Sequence, residues 1–570
     1  MTEKDIIHKL TYLLHGHRRK IFIIFGCLLI STGLNLCIPF ISKEIMDEGF
    51  IGGNKNILLY LVVGSFAIYM LISALNIIKE KVRVEIVAKV QYSLWHQAYE
   101  HLMRMKINYF DDRNAAEIFN NLSVDIANMV SVADESAFFV VTQAFSMVGG
   151  VIGLFILDYR MTILVLLFIP IKAVVMKYFA KYRKKVMDEF ILDSEKYSSW
   201  FGDTVGGVKE VKLFDILDNK HREFDEKQRV VIRKQKKMNM LSQWNSAADD
   251  VLVHLLITLI YIVGSNLVFN MQLSVGSIFA FITYSSYVTG PISAILNIGY
   301  LLSGIIPSTK RYYMFMELDE ENSNQKITTS PQFGDIELKN ISFAYEEGKP
   351  ILDGVSVIFP KGSKTAIIGR NGSGKTTIIN LLTRLYEPEN GQILLNGTNI
   401  ADMSLQAYRE MVSIVSQQIY LFNDSIRNNI CLYKQVSDAM LKIACRDSGL
   451  EDFIKEVSLD YVVGQNGAML SGGQKQKIAL ARALIHDKPI IIFDEATSNT
   501  DAYSEQQINA LLHTGLRDQT VIVMTHKKEA LSEVDQIVVL DDGKIDIVGG
   551  YEAVKKSKYW LQLRDDYVDI

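Results

Sequence analysis

The sequence predicts a multi-domain protein: an all-α membrane domain of six helices, then an α/β domain built around a phosphate-binding loop. Three observations carry this. The chain has 570 residues, too many for one hydrophobic core. Its apolar residues, 49 % of the total, concentrate before about residue 310. Finally, Gly369-Arg370-Asn371-Gly372-Ser373-Gly374-Lys375-Thr376 is a complete nucleotide-phosphate loop. The expected division is a membrane domain over 1–316, a linker over 317–332 and a nucleotide-binding domain over 333–570.

A membrane span needs roughly 20 mostly apolar residues. Six stretches qualify: 21–45, 57–78, 137–157, 161–179, 251–269 and 278–306. The first is too long for a signal-peptide core and has no small-x-small cleavage site, so it reads as a span. Segments 47–56, 158–160 and 270–276 between spans are short and poor in cations, whereas 79–136 and 181–248 are long and rich in Lys and Arg. Cations mark the cytoplasmic side, which places both termini inside. Within the first basic segment Val82, Ile86, Val90 and Leu94 keep a helical period, so the second span is expected to run on far beyond the bilayer.

Charges within spans are where cargo contacts are sought. Lys172 lies eleven residues into the fourth span, about 16 Å at 1.5 Å per residue and hence near mid-bilayer. An unpaired cation there costs roughly 2.5–3.5 kcal/mol, so it must face a wet cavity or a carboxylate. His254 near the inner end of the fifth span, with Tyr284 and Tyr287 on the sixth, completes the candidate cavity set. The plainer reading of these three is interfacial solvation and packing. Gly149 and Gly153 have the small-xxx-small spacing that lets helices approach closely.

The segment 317–332 turns polar, and strand and helix patterns then alternate to the end. The phosphate loop lies between an apolar strand over 365–368 and a helix starting near Lys375, the context its mechanism requires. Gly369, Gly372 and Gly374 permit tight turns that aim backbone N–H groups at phosphate oxygens, with the helix N-terminus adding its dipole. Lys375 neutralises the outer phosphates, Thr376 offers a hydroxyl to magnesium, and Asn371, Ser373 and Thr377 complete the local ATP-binding set. An apolar strand from Pro489 ends in Asp494 and Glu495. Asp494 suits the magnesium shell and Glu495 suits the general base that polarises the attacking water. ATP and Mg²⁺ are thus the expected cofactors.

Leu470-Ser471-Gly472-Gly473-Gln474, about a hundred residues after the loop, resembles the signature of ATP-binding-cassette ATPases. The resemblance extends over nearly the whole chain, tightly in the cassette and by topology before it. It implies further roles. Tyr345 resembles the aromatic that stacks on adenine, Gln417 the magnesium-sensing glutamine, and His526 the histidine that contacts the terminal phosphate. Residues 498–501 resemble the loop joining two sites across a dimer. Tyr109-Phe110-Asp111 and the run from Gly207 to Phe214 resemble the two coupling helices of the family's exporters. In this family Ser471, Gly472, Gly473 and Gln474 complete the ATP site of a second chain. Since every element is present here, a homodimer is implied, with a related half-transporter as the other choice of partner.

Three departures from the family pattern stand out. Val463-Gly464-Gln465-Asn466-Gly467 replaces a Gly-Glu-Arg-Gly run, Asn499-Thr500 replaces Ala-Leu, and Ser416 stands where proline is usual. None touches the expected chemistry, so altered coupling is implied rather than inactivity.

The net charge of -4 and the absence of a basic face argue against nucleic acid as a partner. Four scattered cysteines suggest neither zinc site nor disulfide framework. The resemblance implies an ATP-driven exporter of a peptide or amphipathic small molecule, in contact with membrane lipid. The alternative is a flippase for a lipid or lipid-linked saccharide. A gated channel or sensor is disfavoured because it needs no intact hydrolytic sites, and import because importers usually carry these domains on separate chains. No fused leader peptidase is expected. The lack of a targeting segment, with abundant Ile, Lys and Asn, points to a bacterial inner membrane.

Overall fold

The computed structural model describes residues 3–111, 113, 115–131, 135–321, 332–346, 348–494, 516, 518–525, 531 and 534–555. These fall into two compact units. The first comprises Met1–Met103 and Arg113–Leu318, the second Arg104–Asp112 and Asp319–Ile570. The second unit therefore claims a short stretch of the chain that sequence order alone would give to the membrane domain. That stretch is held there by main-chain contacts, a bridge between Met105 and Glu320 and a 2.6 Å bond from Glu321 N to Arg104 O.

The first unit is helical throughout. Its helices are α1 (Glu3–His15), α2 (Arg18–Glu44), α3 (Lys55–Arg104, its last residue passing to the second unit) and α5 (Ala115–Val130). They continue with α6 (Glu135–Leu157), α7 (Tyr159–Gly206), α8 (Val208–Leu213), α9 (Leu217–Phe269) and α10 (Val275–Met316). A π-helical turn, Ile45–Ile51, extends α2. Among the described residues four helices are long and apolar enough to cross a membrane: Arg18–Ile51, Lys55–Arg104, Tyr159–Gly206 and Leu217–Phe269. The other two expected spans fall on α6 and α10. With 50 and 53 residues, α3 and α9 run about 75–80 Å at 1.5 Å per residue, well over twice the hydrocarbon thickness. The apolar period noted beyond the second span is used for packing, since Ile86, Val90 and Leu94 are all buried.

The short cation-poor segments meet at one end of this unit. Asp47 accepts from Gly276 N at 2.9 Å and from the Ser274 hydroxyl at 2.5 Å, while Ser274 itself caps α10. Arg160 donates to Gln272 at 2.6 Å, and Asp158 caps α7 by accepting from Arg160 N and Met161 N. Small residues decide how closely α6 approaches its neighbours. A Cβ on Gly149 would lie 2.0 Å from Leu36, and one on Gly153 would lie 2.6 Å from the Tyr284 ring. Any side chain at either position would push α6 away from α2 or α10.

In the second unit, two sheets and a helical lobe surround the phosphate loop. An antiparallel sheet carries β1 (Ile336–Ala344), β2 (Pro350–Phe359), β4 (Asn390–Leu395) and β5 (Thr398–Asn399) in the order β2-β1-β4-β5. The other holds β3 (Lys364–Gly369), β6 (Val412–Val415), β7 (Ile490–Asp494), β8 (Thr520–Met524), β9 (Gln536–Asp541) and β10 (Lys544–Gly549) in the order β10-β9-β3-β8-β7-β6. Strands β9, β3, β8, β7 and β6 are mutually parallel. The burial of all five residues of β7 and of β8 is what a parallel sheet covered on both faces demands. The helical lobe packs α13 (Ile426–Cys431), α14 (Asp438–Asp447) and α16 (Gly472–Leu484) around Ile430, Leu441, Leu450 and Ile478.

Candidate active site

Because five strands of the second sheet, β9, β3, β8, β7 and β6, run parallel, their carboxyl ends share one edge, where such sheets bind ligands. The phosphate loop leaves β3 at that edge, Asp494 closes β7, and Gln417 follows β6 by two residues. Strands β3 and β7 flank β8, so Asp494 stands about 10 Å from the loop's strand at ~4.8 Å per strand. Glu495 and His526 lie outside the described residues, as do 498–501; in sequence they follow Asp494, Thr525 and Glu495 respectively.

The loop's shape is enforced by glycine. Gly372 and Gly374 have φ of +82° and +102°, and a Cβ on Gly374 would also come within 2.6 Å of Leu352. Gly369 allows the strand end to pass Leu540 O, which a Cβ would approach to 2.2 Å. Helix α11 (Lys375–Leu382) then starts with its N-terminus at the loop. Lys375 is buried, and its ammonium donates to Gly369 O at 2.8 Å and Arg370 O at 3.0 Å, bracing the turn from inside. Ser373 is 3 % exposed, and its hydroxyl has no hydrogen-bond partner among the described residues. A buried hydroxyl without a partner costs folding free energy, so its presence at a turn built for anions fits an absent phosphate oxygen. Asn371 and Thr376 are exposed and Thr377 is buried. The hydroxyl of Thr376 and the carboxylate of Asp494, which is 8 % exposed, are oxygen donors of the kind magnesium takes.

Tyr345 follows β1 and is 44 % exposed, leaving ring surface for a base. Its hydroxyl accepts from Asn380 Nδ2 at 3.0 Å and stands 3.4 Å from Thr377 Oγ1. Phe343 and Tyr386 pack edge-on to it at 4.9 and 5.1 Å. Sequence reading passed over Tyr386 and Asn380. An aromatic soon after the phosphate-loop helix was the available signal, and it points nowhere until the fold brings it to Tyr345.

The signature opens α16. Ser471 caps it by accepting from Gln474 N at 3.3 Å, while the Gln474 side chain accepts from Ser471 N at 2.8 Å. A Cβ on Gly472 or Gly473 would meet nothing within 4 Å. Nothing in the described chain requires glycine at these two positions. Just before the signature, the segment that departs from the family pattern forms a tight turn with Gly464, Asn466 and Gly467 all at positive φ. Asn466 Oδ1 accepts from Leu421 N at 3.3 Å, and Lys475 donates to Asn466 O at 2.9 Å. Arg482, also unremarked in the sequence, ties α16 to Asn429 O at 2.8 Å and Tyr420 O at 3.1 Å, and burial holds its pKa below the usual arginine value.

In the first unit, Lys172 meets a carboxylate rather than a cavity. It is fully buried, with Nζ 2.7 Å from Asp249 Oδ1. Tyr284 is also fully buried, donating to Leu36 O and packing on Phe40 at 5.4 Å. Neither shows a surface to cargo within this unit. Tyr287 is half-buried against Tyr284, and His254 is exposed.

Fold and site together define an ATPase of the phosphate-loop type fused to a helical membrane domain. Residues 21–292 match the family described as the ABC transporter transmembrane region, and residues 352–498 match that described as ABC transporter. A relative from Haemophilus influenzae (strain 86-028NP), an ATP-dependent lipid A-core flippase, is 30 % identical over 90 % of this chain and 89 % of its own. The flippase of the same name from Syntrophus aciditrophicus (strain SB) is 25 % identical over 99 % of this chain and 96 % of its own. A solved bacterial Atm1-family ABC exporter with ATP bound shares the fold at a TM-score of 0.84 and 21 % identity, over 97 % of this chain and all of that one. The chain belongs to the ABC transporter family. It is a half-transporter of the exporter type, an integral membrane protein and a transport ATPase.

Proposed function

We propose that this half-transporter acts as a homodimer in a bacterial inner membrane and flips a lipid or lipid-linked saccharide outward, both termini remaining cytoplasmic. The observation that carries the cargo class is the likeness to flippases over about nine-tenths of both chains. It favours the flippase reading over the peptide or amphiphile export that the sequence put first. The dimer is supported by the open signature, whose two glycines answer to no atom of the described chain.

In each site the phosphate loop and Lys375 would hold the outer phosphates of ATP, and Tyr345 would take the base. Ser471, Gly472, Gly473 and Gln474 of the facing chain would close the site. Thr376 and Asp494 would hold magnesium with Gln417, and magnesium when bound supplies charge neutralisation at the outer phosphates. Glu495 takes the proton of the attacking water as it moves in line on the terminal phosphorus, while the bond from that phosphorus to the bridging oxygen breaks and ADP leaves. Lys375 and His526 stabilise the charge that develops on the departing phosphoryl group.

The test is ATP turnover by the purified protein in lipid nanodiscs, challenged separately with lipid-linked saccharides, peptide extract and drug-like amphiphiles. Stimulation by the saccharide-bearing lipids is expected. Stimulation by peptides or amphiphiles alone would return the cargo to the export reading. Absence of any turnover would mean that a different half-transporter completes the site.

A further inference from the structure

Tyr345 lines a cavity of ≈ 750 Å³. Its walls include Tyr345, Tyr386, Asn380 and Arg384, together with Asn108 and Asp111 of the short helix α4 (Asn108–Asp111). All of these belong to the second unit. Helix α4 is continuous in sequence with α3 through Met105, Lys106 and Ile107.

Three rings lock together on this wall. Tyr345 and Phe343 stand 4.9 Å apart at 89°, Tyr345 and Tyr386 5.1 Å apart at 88°, and Phe343 and Tyr386 5.6 Å apart at 71°. Edge-to-face contacts depend on orientation, so tilting one ring tilts the others. Phe343 is a buried strand residue and cannot turn. Tyr386 is only half-buried, and its hydroxyl donates to the Asp111 carboxylate. Asp111 thus anchors Tyr386 to α4.

We infer that Asp111 is a positioning residue for the nucleobase, acting through Tyr386 to fix the ring plane of Tyr345. The inference rests on the reading that Tyr345 stacks on the base. It makes ATP affinity depend on where α4 lies within the second unit. The contact reaches the base and leaves the phosphate loop untouched, because no loop residue lines the cavity.

Full-length protein carrying Tyr386→Phe or Asp111→Ala is assayed for ATP turnover against ATP concentration. Loss of one hydrogen bond predicts KM for ATP raised about two- to tenfold with kcat held within about twofold. Because both variants break the same bond, the double variant should be no worse than the weaker single one. Inhibition by inorganic triphosphate, which reads only the phosphate end, should not change. Unchanged KM in both singles, additive effects in the double, or equally weakened triphosphate inhibition would each overturn the inference. Tyr345→Ala separates the two readings. Unchanged KM there overturns base stacking itself, whereas raised KM there with unchanged KM for Tyr386→Phe and Asp111→Ala overturns only the role of Asp111.

Discussion

The two units store their information at different ranges. In the second, the phosphate loop is written in one uninterrupted run from Gly369 to Thr376, and its strongest internal bonds join residues five and six apart. In the first, the decisive contacts join distant residues: Tyr284 reaches Leu36, Ser274 reaches Asp47, and Lys172 reaches Asp249. The difference has a physical source. A phosphate cradle is made of backbone N–H groups and turn angles, so it has to be spelled locally. A membrane helix satisfies its own backbone, so almost any apolar residue serves, and specificity passes to a few side chains whose partners only the fold reveals.

The sharpest way to test the local half is Glu495→Gln. If Glu495 is the base, turnover should fall about 10²–10⁴-fold while ATP stays bound, since the amide keeps the shape and loses the proton acceptor. Turnover measured beside equilibrium nucleotide binding separates the two. Turnover within a few-fold of the unsubstituted protein would show that the strand-end carboxylate pair was misassigned.

For the distant half the corresponding test is Lys172. Breaking a buried ion pair by removing one partner typically costs about 3–5 kcal/mol, and the lower end applies because Asp249 keeps some solvent contact. Lys172→Met should lower thermal stability accordingly, and Lys172→Met with Asp249→Leu should recover most of it. If instead Lys172→Met melts normally but loses cargo stimulation, the pair serves transport and the comparison drawn above fails at its clearest point.

What could be read from the sequence follows the same division. The six helices, the unusual reach of the second and the phosphate loop were all visible, because each is a matter of period, length or contiguous spelling. The close approach of α6 was visible in Gly149 and Gly153, although not which helices they admit. The partner of Lys172 was visible only as an alternative, cavity or carboxylate, since charge in an apolar run says that a partner exists without saying where. Tyr284 illustrates the limit: as a sequence it reads as packing first with pore lining as the other choice, and its burial against Phe40 and Gly153 agrees with packing. Likewise, nothing local assigns residues 104–112 to the second unit.

Asn466 sits between these cases and gives the smallest effect. In sequence it is only a departure, an uncharged residue where exporters carry a charge. In the structure it has φ of +49°, a conformation that asparagine tolerates and most side chains resist. Its amide oxygen also holds Leu421 N, and its carbonyl receives Lys475, so one residue ties the segment after β6 to the start of α16. Asn466→Ala should cost about 1–2 kcal/mol, mostly from the backbone. Asn466→Gly relieves the backbone and loses only the 3.3 Å side-chain bond, so it should cost well under about 1 kcal/mol. Denaturant unfolding of both variants measures the gap. Equal losses would assign the whole effect to the side-chain bond, and the asparagine would then be a specific tie between two segments of the site rather than a residue chosen for its backbone.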